Sequence, residues 1–321
     1  MPMEIVPQGT KIDFIGKWKI CVAISLAVIV LSILAIPVRG LRLGLDFAGG
    51  MEIQVKLAPE VKADEGAIRT VVEGTGVPEA SVVRYGEAGD SSFLIRFRSE
   101  TAGEKGELVD NLRDALVKGV GPLEIERVEF VGPRVGKELQ RSGLRALIYS
   151  SLAILVYIAF RFSARFAPGA VIALVHDVVI TSGVFVLLGR EFDLTVLAAL
   201  LAILGYSLND TIIVYDRIRE NMATHTKQDL ASVLNLSVNQ TLSRTLLTSG
   251  TTLLAVLALL FLGGEVIRPF AMAMVIGIFV GTYSSIYIAA PTLLWLERRH
   301  GAAAGGAKPA PAKGGKASAR A

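Results

Sequence analysis

The 321-residue chain is 52% hydrophobic and 19% charged, with a mean hydropathy of +0.54 and a net charge of +4. A soluble domain carries about 25% charged residues, whereas here the apolar surplus is gathered into runs that approach or exceed the ~18–20 residues needed to cross a bilayer. A soluble enzyme, a disordered scaffold and a nucleic-acid-binding domain are disfavoured together, and the chain reads as a polytopic α-helical membrane protein.

In chain order, residues 1–19 form a cytoplasmic N-terminal segment and 20–38 the first transmembrane helix. The sequence IPVR at 36–39 offers no small-x-small cleavage site, so a retained helix is expected and not a signal peptide. Residues 39–142 form an extracytoplasmic domain. Strand patterns fall at 51–57, 81–85, 93–98 and 124–131, and helical patterns at 63–73 and 104–118, the latter with Leu108, Leu112, Ala115 and Leu116 on one face. The order β-α-β-β-α-β is that of the ferredoxin-like split βαβ motif. It holds no titratable cluster, phosphate cradle or metal-ligand spacing, so a binding or mechanical role is expected and no metal. The sequence GPRVGKE at 132–138 has the wrong spacing for a phosphate loop and a Glu where Ser or Thr would bind magnesium.

Residues 143–297 carry five further spans, at 146–160, 169–188, 195–214, 245–262 and 270–294. Residues 298–321, rich in Ala, Gly, Pro and Lys, read as a disordered basic cytoplasmic tail able to touch anionic headgroups. Acidic residues outnumber basic ones in 41–142, so the basic excess belongs to the membrane flanks and tail and gives no support for a nucleic-acid partner. Lys11, Lys17 and Lys19 precede the first span, Arg161 and Arg165 follow the second, Arg217, Arg219 and Lys227 follow the fourth, and Arg298 and Arg299 follow the sixth. In the alternate loops Arg190 is offset by Glu191 and Asp193, and Arg268 by Glu265. Both termini are therefore expected in the cytoplasm. On that side the Asn-x-Ser/Thr patterns at Asn235 and Asn239 carry no glycosylation meaning. The lone Cys21 forms no intrachain disulfide.

A charge inside hydrocarbon costs at least ~2.5–3.5 kcal/mol on insertion scales, so each calls for a reason. Asp210, with Asn209 beside it, lies toward the cytoplasmic end of the fourth span. A carboxyl group balanced between desolvation and a nearby cation can load and release a proton, and one charge moved through 100 mV is worth ~2.3 kcal/mol. Arg244 begins the fifth span at the same depth, followed by Thr248, Thr251 and Thr252. It is either Asp210's partner or a boundary Arg that snorkels to headgroups. His176 and Asp177 are neighbours in the third span whose side chains leave the helix ~100° apart. They form a proton relay or a structural hydrogen-bonded pair. Gly277 and Gly281 make a GxxxG contact face in the sixth span. No nucleophile–base pair or ligand set suggests a catalytic site.

Four stretches carry a resemblance: GLDFAGG at 44–50, ALVHD at 173–177, GYSLNDT at 205–211 running on to YDRIREN at 215–221, and NQTLSRT at 239–245 leading to TSGTT at 248–252. In order, spacing and placement they resemble the SecF family of protein-export membrane proteins of the bacterial Sec translocase, from about residue 10 to residue 297. The family is built like half of a twelve-span resistance-nodulation-division transporter, with SecD as the other half. The resemblance implies a cell inner membrane protein, not an enzyme, that uses the proton-motive force to draw preproteins across after the ATP-driven step of SecA through SecYEG, with YajC and YidC as further partners. It implies that Asp210 and Arg244 belong to the ion pathway, with Asn209, Thr248, His176 and Asp177 as secondary members, no cofactor, and H⁺ or Na⁺ as the coupling ion. Asp46, Gly49 and Gly50 would form the turn coupling the first span to the outer domain; read alone, they are a tight glycine turn. Two alternatives stand beside this reading. One is a proton-driven exporter of lipids or small molecules, which ordinarily needs twelve spans in one chain; the other is a structural translocon subunit that couples to no ion.

Overall fold

Each apolar run of the sequence becomes a helix, and most of the helices overrun it. The computed structural model describes residues 7, 10–61, 63–77, 80–85, 91–98, 105–162 and 165–305. Among these, six helical segments are long and apolar enough to cross a membrane. They are α1 (Trp18–Arg39), α5 (Pro133–Arg161), α6 (Ala167–Leu187), α7 (Leu194–Thr224), α8 (Leu230–Leu262), and the continuous stretch of α9 (Gly264–Ser284), a π-helical turn (Ser285–Ala289) and α10 (Ala290–Gly305). At about 1.5 Å per residue, the 33 residues of α8 reach about 50 Å, well beyond a ~30 Å hydrocarbon core.

Hydropathy finds only the part of a helix that must sit in lipid; the overhangs are held by polar contacts. Asp193 and Asp229 cap α7 and α8 by accepting from the Val196 and Ala231 amides at 2.8 and 3.1 Å. Beyond the span of α7, Asn221 Nδ2 donates to Ser237 Oγ at 2.9 Å and to Gln240 Oε1 at 2.7 Å, and Arg217 Nε donates to Gln240 Oε1 at 2.6 Å, lacing α7 to α8. The last helix runs to Gly305, into the stretch read from sequence as a tail; residues 306–321 lie outside the described residues.

Between α1 and α5 lies the small domain, opened by a single-turn helix α2 (Leu45–Ala48). It continues as β1 (Gly50–Leu57), α3 (Glu65–Gly74), β2 (Ser81–Tyr85), β3 (Ser92–Phe97), α4 (Lys105–Gly119) and β4 (Leu123–Val131). The sheet order β2-β3-β1-β4, with every neighbour antiparallel, is the split βαβ arrangement expected from the sequence. Alternation decides its faces: Met51, Ile53, Val55 and Leu57 point into a core with Ile68 and Val72 of α3 and Leu112 and Leu116 of α4. A bulge between Gln54 and Val55 shifts the register against β4.

In the helical bundle α7 is central and packs against α8 and α9. Gly277 and Gly281 set the α7–α9 distance, because a Cβ at either position would lie 2.3 Å from Ile203 or 2.8 Å from Ser207. At the π-turn the buried Tyr215 hydroxyl donates to the Ala289 carbonyl at 3.1 Å, and Thr292 Oγ1 to the Ile288 carbonyl at 2.6 Å, satisfying acceptors in an apolar setting. The N-terminal segment is bound as well. Asn235 Oδ1 accepts from the Phe14 amide at 2.8 Å, Asn239 Oδ1 accepts from the Ile12 amide at 2.9 Å, and both amide groups donate to the Ile12 carbonyl. Phe14 and Ile15 are thereby seated in the bundle core.

Candidate functional site

Asp210 is 1% exposed, on the face of α7 that also buries Ile203, Ser207, Thr211 and Val214. Its Oδ2 accepts from Ser249 Oγ of α8 at 3.2 Å, and Ser249 also meets Thr282 Oγ1 of α9 at 2.8 Å. Asp210 Oδ1 is buried without a hydrogen-bond partner, as is the Thr245 hydroxyl one turn from Ser249. A buried carboxylate with one oxygen spent and one free has the capacity to take a proton or a small cation.

Arg244 acts on Asp210 only through its charge at a distance, without a direct contact among the described residues. It is exposed, and among the described residues no ion pair links the two. Asn209 is also exposed. Thr248 returns its hydroxyl to its own helix, donating to the Arg244 and Thr245 carbonyls at 3.1 and 3.0 Å. Ser249 and Thr282 are the residues sequence reasoning missed. The signal for Ser249 was the stripe Val238, Thr241, Thr245, Ser249, Val256 at helical spacing, which is the buried face of α8. The stripe through Arg244 and Thr248 is the outer one.

His176 and Asp177 are both buried, Asp177 at 0% exposure. Despite leaving α6 at different angles, they meet: His176 Nδ1 lies 2.9 Å from Asp177 Oδ1. The other ring nitrogen meets Ser25 Oγ of α1 at 3.0 Å, and His176 stacks on Tyr283 of α9. Asp177 Oδ2 accepts from Ser207 of α7 and from Ser284 of α9, the latter at 2.8 Å. Ser25 donates to the Tyr283 hydroxyl at 3.1 Å, which donates to the Cys21 carbonyl at 2.6 Å. The result is a continuous hydrogen-bonded file joining α1, α6, α7 and α9, and it reaches α7 one turn before Asp210.

The turn at 44–50 bolts the sheet domain to the bundle. Gly50 starts β1 at φ +127°, where a Cβ would lie 2.6 Å from the Phe97 carbonyl oxygen. Gly49, at φ +73°, is less crowded, with Pro133 Cα at 3.0 Å and the Val131 carbonyl oxygen at 3.2 Å from the position of a Cβ. Gln140 Nε2 of α5 donates to the Phe47 carbonyl at 2.7 Å. The Gly44 amide donates to the Phe192 carbonyl at 2.7 Å, and the Phe192 amide to the Arg42 carbonyl at 2.8 Å. Asp46 Oδ2 accepts from the Leu194 amide at 3.0 Å, so its carboxylate sits on the N-terminus of α7, the favourable end of the helix dipole. Arg96 of β3 bridges Glu52 of β1 and Glu191 of the α6–α7 loop. Burial lowers the Arg96 pKa, but the two carboxylates outweigh it and hold the guanidinium above its ordinary value. Among the described residues no group of three or more His, Cys, Asp or Glu side chains is placed to hold a metal ion.

Comparison with known proteins converges on one family. Residues 113–299 match the family described as protein export membrane protein SecD/SecF, C-terminal, and residues 34–61 match the SecD/SecF GG motif, which contains the turn at 44–50. The protein translocase subunit SecF of Calditerrivibrio nitroreducens is 45% identical over 89% of this chain and 94% of its own length. That of Vibrio alginolyticus is 44% identical over 91% and 92%. The crystal structure of SecDF from Thermus thermophilus, a translocon-associated membrane protein, superimposes with a TM-score of 0.80 at 38% identity, covering 93% of this chain. A SecDF structure in a super-membrane-facing form gives 0.69 at 39% identity. This chain spans only 40% and 41% of those two SecDF chains, so it corresponds to less than half of each. With six spans, a split βαβ domain and the matched glycine turn between them, the chain belongs to the SecF family of protein translocase subunits.

Proposed function

We propose that this chain, paired with SecD, couples ion movement down the proton-motive force to displacement of its outer domain, and so promotes preprotein translocation after the SecA step. The observation that carries this reading is Asp210, buried in the bundle with one carboxylate oxygen unpartnered, on the helix whose N-terminus is held by Asp46. Protonation of Asp210, or binding of Na⁺ in its place, changes what Ser249 and Thr282 must satisfy and shifts α7 against α8 and α9. At about 1.5 Å per residue the coupling turn lies about 24 Å up the same helix, so a tilt or slide of α7 is delivered to the base of the sheet. The two SecDF structures match this chain unequally at near-equal identity, 0.80 and 0.69, which supports a family whose parts take more than one arrangement.

The exposed face bearing Asn209, Arg244 and Thr248 is assigned to SecD, which would complete the pathway and bring Arg244 into it. The Ser25–His176–Asp177–Ser207 file serves as a second proton store or as the structural frame that orients α7. Short-loop Lys and Arg place both termini in the cytoplasm and the sheet domain outside the cytoplasmic membrane. SecYEG, SecA, YajC and YidC are the remaining partners of this reading, and the basic tail lies against anionic headgroups. No catalytic activity is assigned.

The test is precursor export in cells carrying Asp210→Asn, with assembly checked by co-purification of SecD. Export slowed severalfold with normal assembly, and its response to replacing sodium by potassium, would support the coupling role and identify the ion. Wild-type export with normal assembly would leave only a structural subunit.

A further inference from the structure

The first turns of α5 carry Arg134, Lys137, Arg141 and Arg145, spaced to share one face and all exposed. Glu138 is the acidic side chain on that face, and none of the four cations forms an ion pair among the described residues. A helix N-terminus is the positive end of the backbone dipole, so Arg134 in the first turn stands where a cation is least favoured, and Lys137, Arg141 and Arg145 add like charge along the same face. The outer side of a membrane protein is also ordinarily poor in Lys and Arg near its spans. An anionic partner offsets both penalties.

Beside the stripe, a cavity of about 640 Å³ opens between α1, α5, α6 and α7. Its wall is apolar, formed by Ile33, Ile36, Leu144, Leu147, Val179 and Leu197; of its serines, Ser32 spends its hydroxyl on the Val28 carbonyl at 2.8 Å. Gln140 and Asp193 mark the end nearest the outer domain, where Phe47 of the coupling turn is part of the lining. Ile33, Ile36 and Leu144 are also exposed on the bundle surface, so the mouth opens between α1 and α5. Both helices are largely unburied within this chain, so the mouth lies on the outer surface of the bundle. The volume lies within the ~300–1,000 Å³ of small-ligand pockets; the lining holds one charged residue, Asp193, while Lys137 and Arg141 flank the lining residue Gln140 along α5, and an apolar slot with cations beside it is the complement of an amphiphile with an anionic head.

We propose that this site holds an anionic phospholipid, its phosphate on Lys137 and Arg141 and one acyl chain in the slot against Phe47. The scarcity of Lys and Arg expected at this end of α5 and the assignment of the lipid to the outer leaflet rest on the orientation proposed above. A lipid so placed is a wedge beneath the turn that joins the sheet to α7, which makes lipid composition an input to the coupling.

The test uses the chain purified with SecD and placed in phosphatidylcholine nanodiscs. Trace phosphatidylglycerol or phosphatidylcholine with a photoreactive acyl chain is added, and labelled peptides are mapped by mass spectrometry. The phosphatidylglycerol probe should label 140–147 and 178–186 severalfold more than the phosphatidylcholine probe. Lys137→Gln and Arg141→Gln should each lower that labelling about fivefold, the effect of roughly one surface charge. Val179→Trp, which fills the slot, should remove the cavity labels and spare those on the outer surface of α1; if it fails to assemble, Leu144→Phe at the mouth reads the same label. Equal labelling by the two probes, or labelling indifferent to both charge removals, overturns the proposal. So does a lysine-directed cross-link from Lys137 to SecD, which gives the stripe to protein.

Discussion

Replacing Gly50 by Ala tests whether the coupling turn depends on one atom of space. Gly50 sits at φ +127°, and a Cβ there would lie 2.6 Å from the Phe97 carbonyl oxygen and 3.5 Å from its carbon. That backbone conformation costs an L-residue about 1–3 kcal/mol. The contact is with backbone and not with a flexible side chain, so β1 and β3 must part where Met51 pairs with Phe97. Losing one or two ladder hydrogen bonds adds about 1 kcal/mol each. The total, about 2–5 kcal/mol, is a large share of the ~5–15 kcal/mol that holds an ordinary domain folded. Gly40→Ala is the internal control: Gly40 also has positive φ, +74°, but a Cβ there meets nothing within 4 Å. It should cost only the backbone strain, about 1–3 kcal/mol, without the lost ladder bonds. Limited proteolysis of the outer domain across a urea series, in reconstituted protein, reads the difference. Gly50→Ala should lower the midpoint well below that of Gly40→Ala, and equal midpoints would refute the steric argument.

Asp46→Ala removes the carboxylate from the N-terminus of α7 and should loosen its first turn by about 1–2 kcal/mol; hydrogen–deuterium exchange at 194–197 should quicken, with Asp46→Asn intermediate, and unchanged exchange would show that the bond to the Leu194 amide does not hold the helix. Asp177→Ala leaves His176, Ser207 and Ser284 without their acceptor. At about 1–3 kcal/mol per stranded buried group, it should lower the melting temperature in detergent far more than Asp177→Asn, which keeps an acceptor oxygen; equal losses would contradict the hydrogen-bond file. Asn235→Ala combined with Asn239→Ala frees the backbone of Ile12 and Phe14, so trypsin should cut after Lys11 and Lys17 faster while the helices stay protected. Unchanged cleavage would mean that Phe14 and Ile15 alone retain the segment.

The spans, the split βαβ order and the burial of Asp210 were all legible in the sequence, because each follows from a local rule. Hydropathy over about 20 residues selects membrane helices, alternation of period two assigns sheet faces, and a lone carboxylate in an apolar run has no route to water. The helix ends were less legible. Hydropathy stops where lipid stops, whereas α7 and α8 continue on contacts such as Asn221 with Ser237, which join residues from two different helices.

The partners of the buried carboxylates were decided by the tertiary structure alone. Sequence places Arg244 and Asp210 at one depth, but it does not set the rotation of α8 about its own axis, and each residue turns that axis by about 100°. Packing against α7 and α9 turns Ser249 inward and leaves Arg244 outside. The Asn235 and Asn239 pair, empty of meaning as a glycosylation pattern, acquires a role only when the chain's first residues are laid beside it. By itself the sequence determined which segments cross the membrane and that two of them carry an acid within the span, Asp177 and Asp210. The tertiary structure decided what those acids touch, and that the sheet domain is fastened through Asp46 to the helix of Asp210, because contacts between segments distant in the chain depend on how helices turn and pack and not on any local pattern.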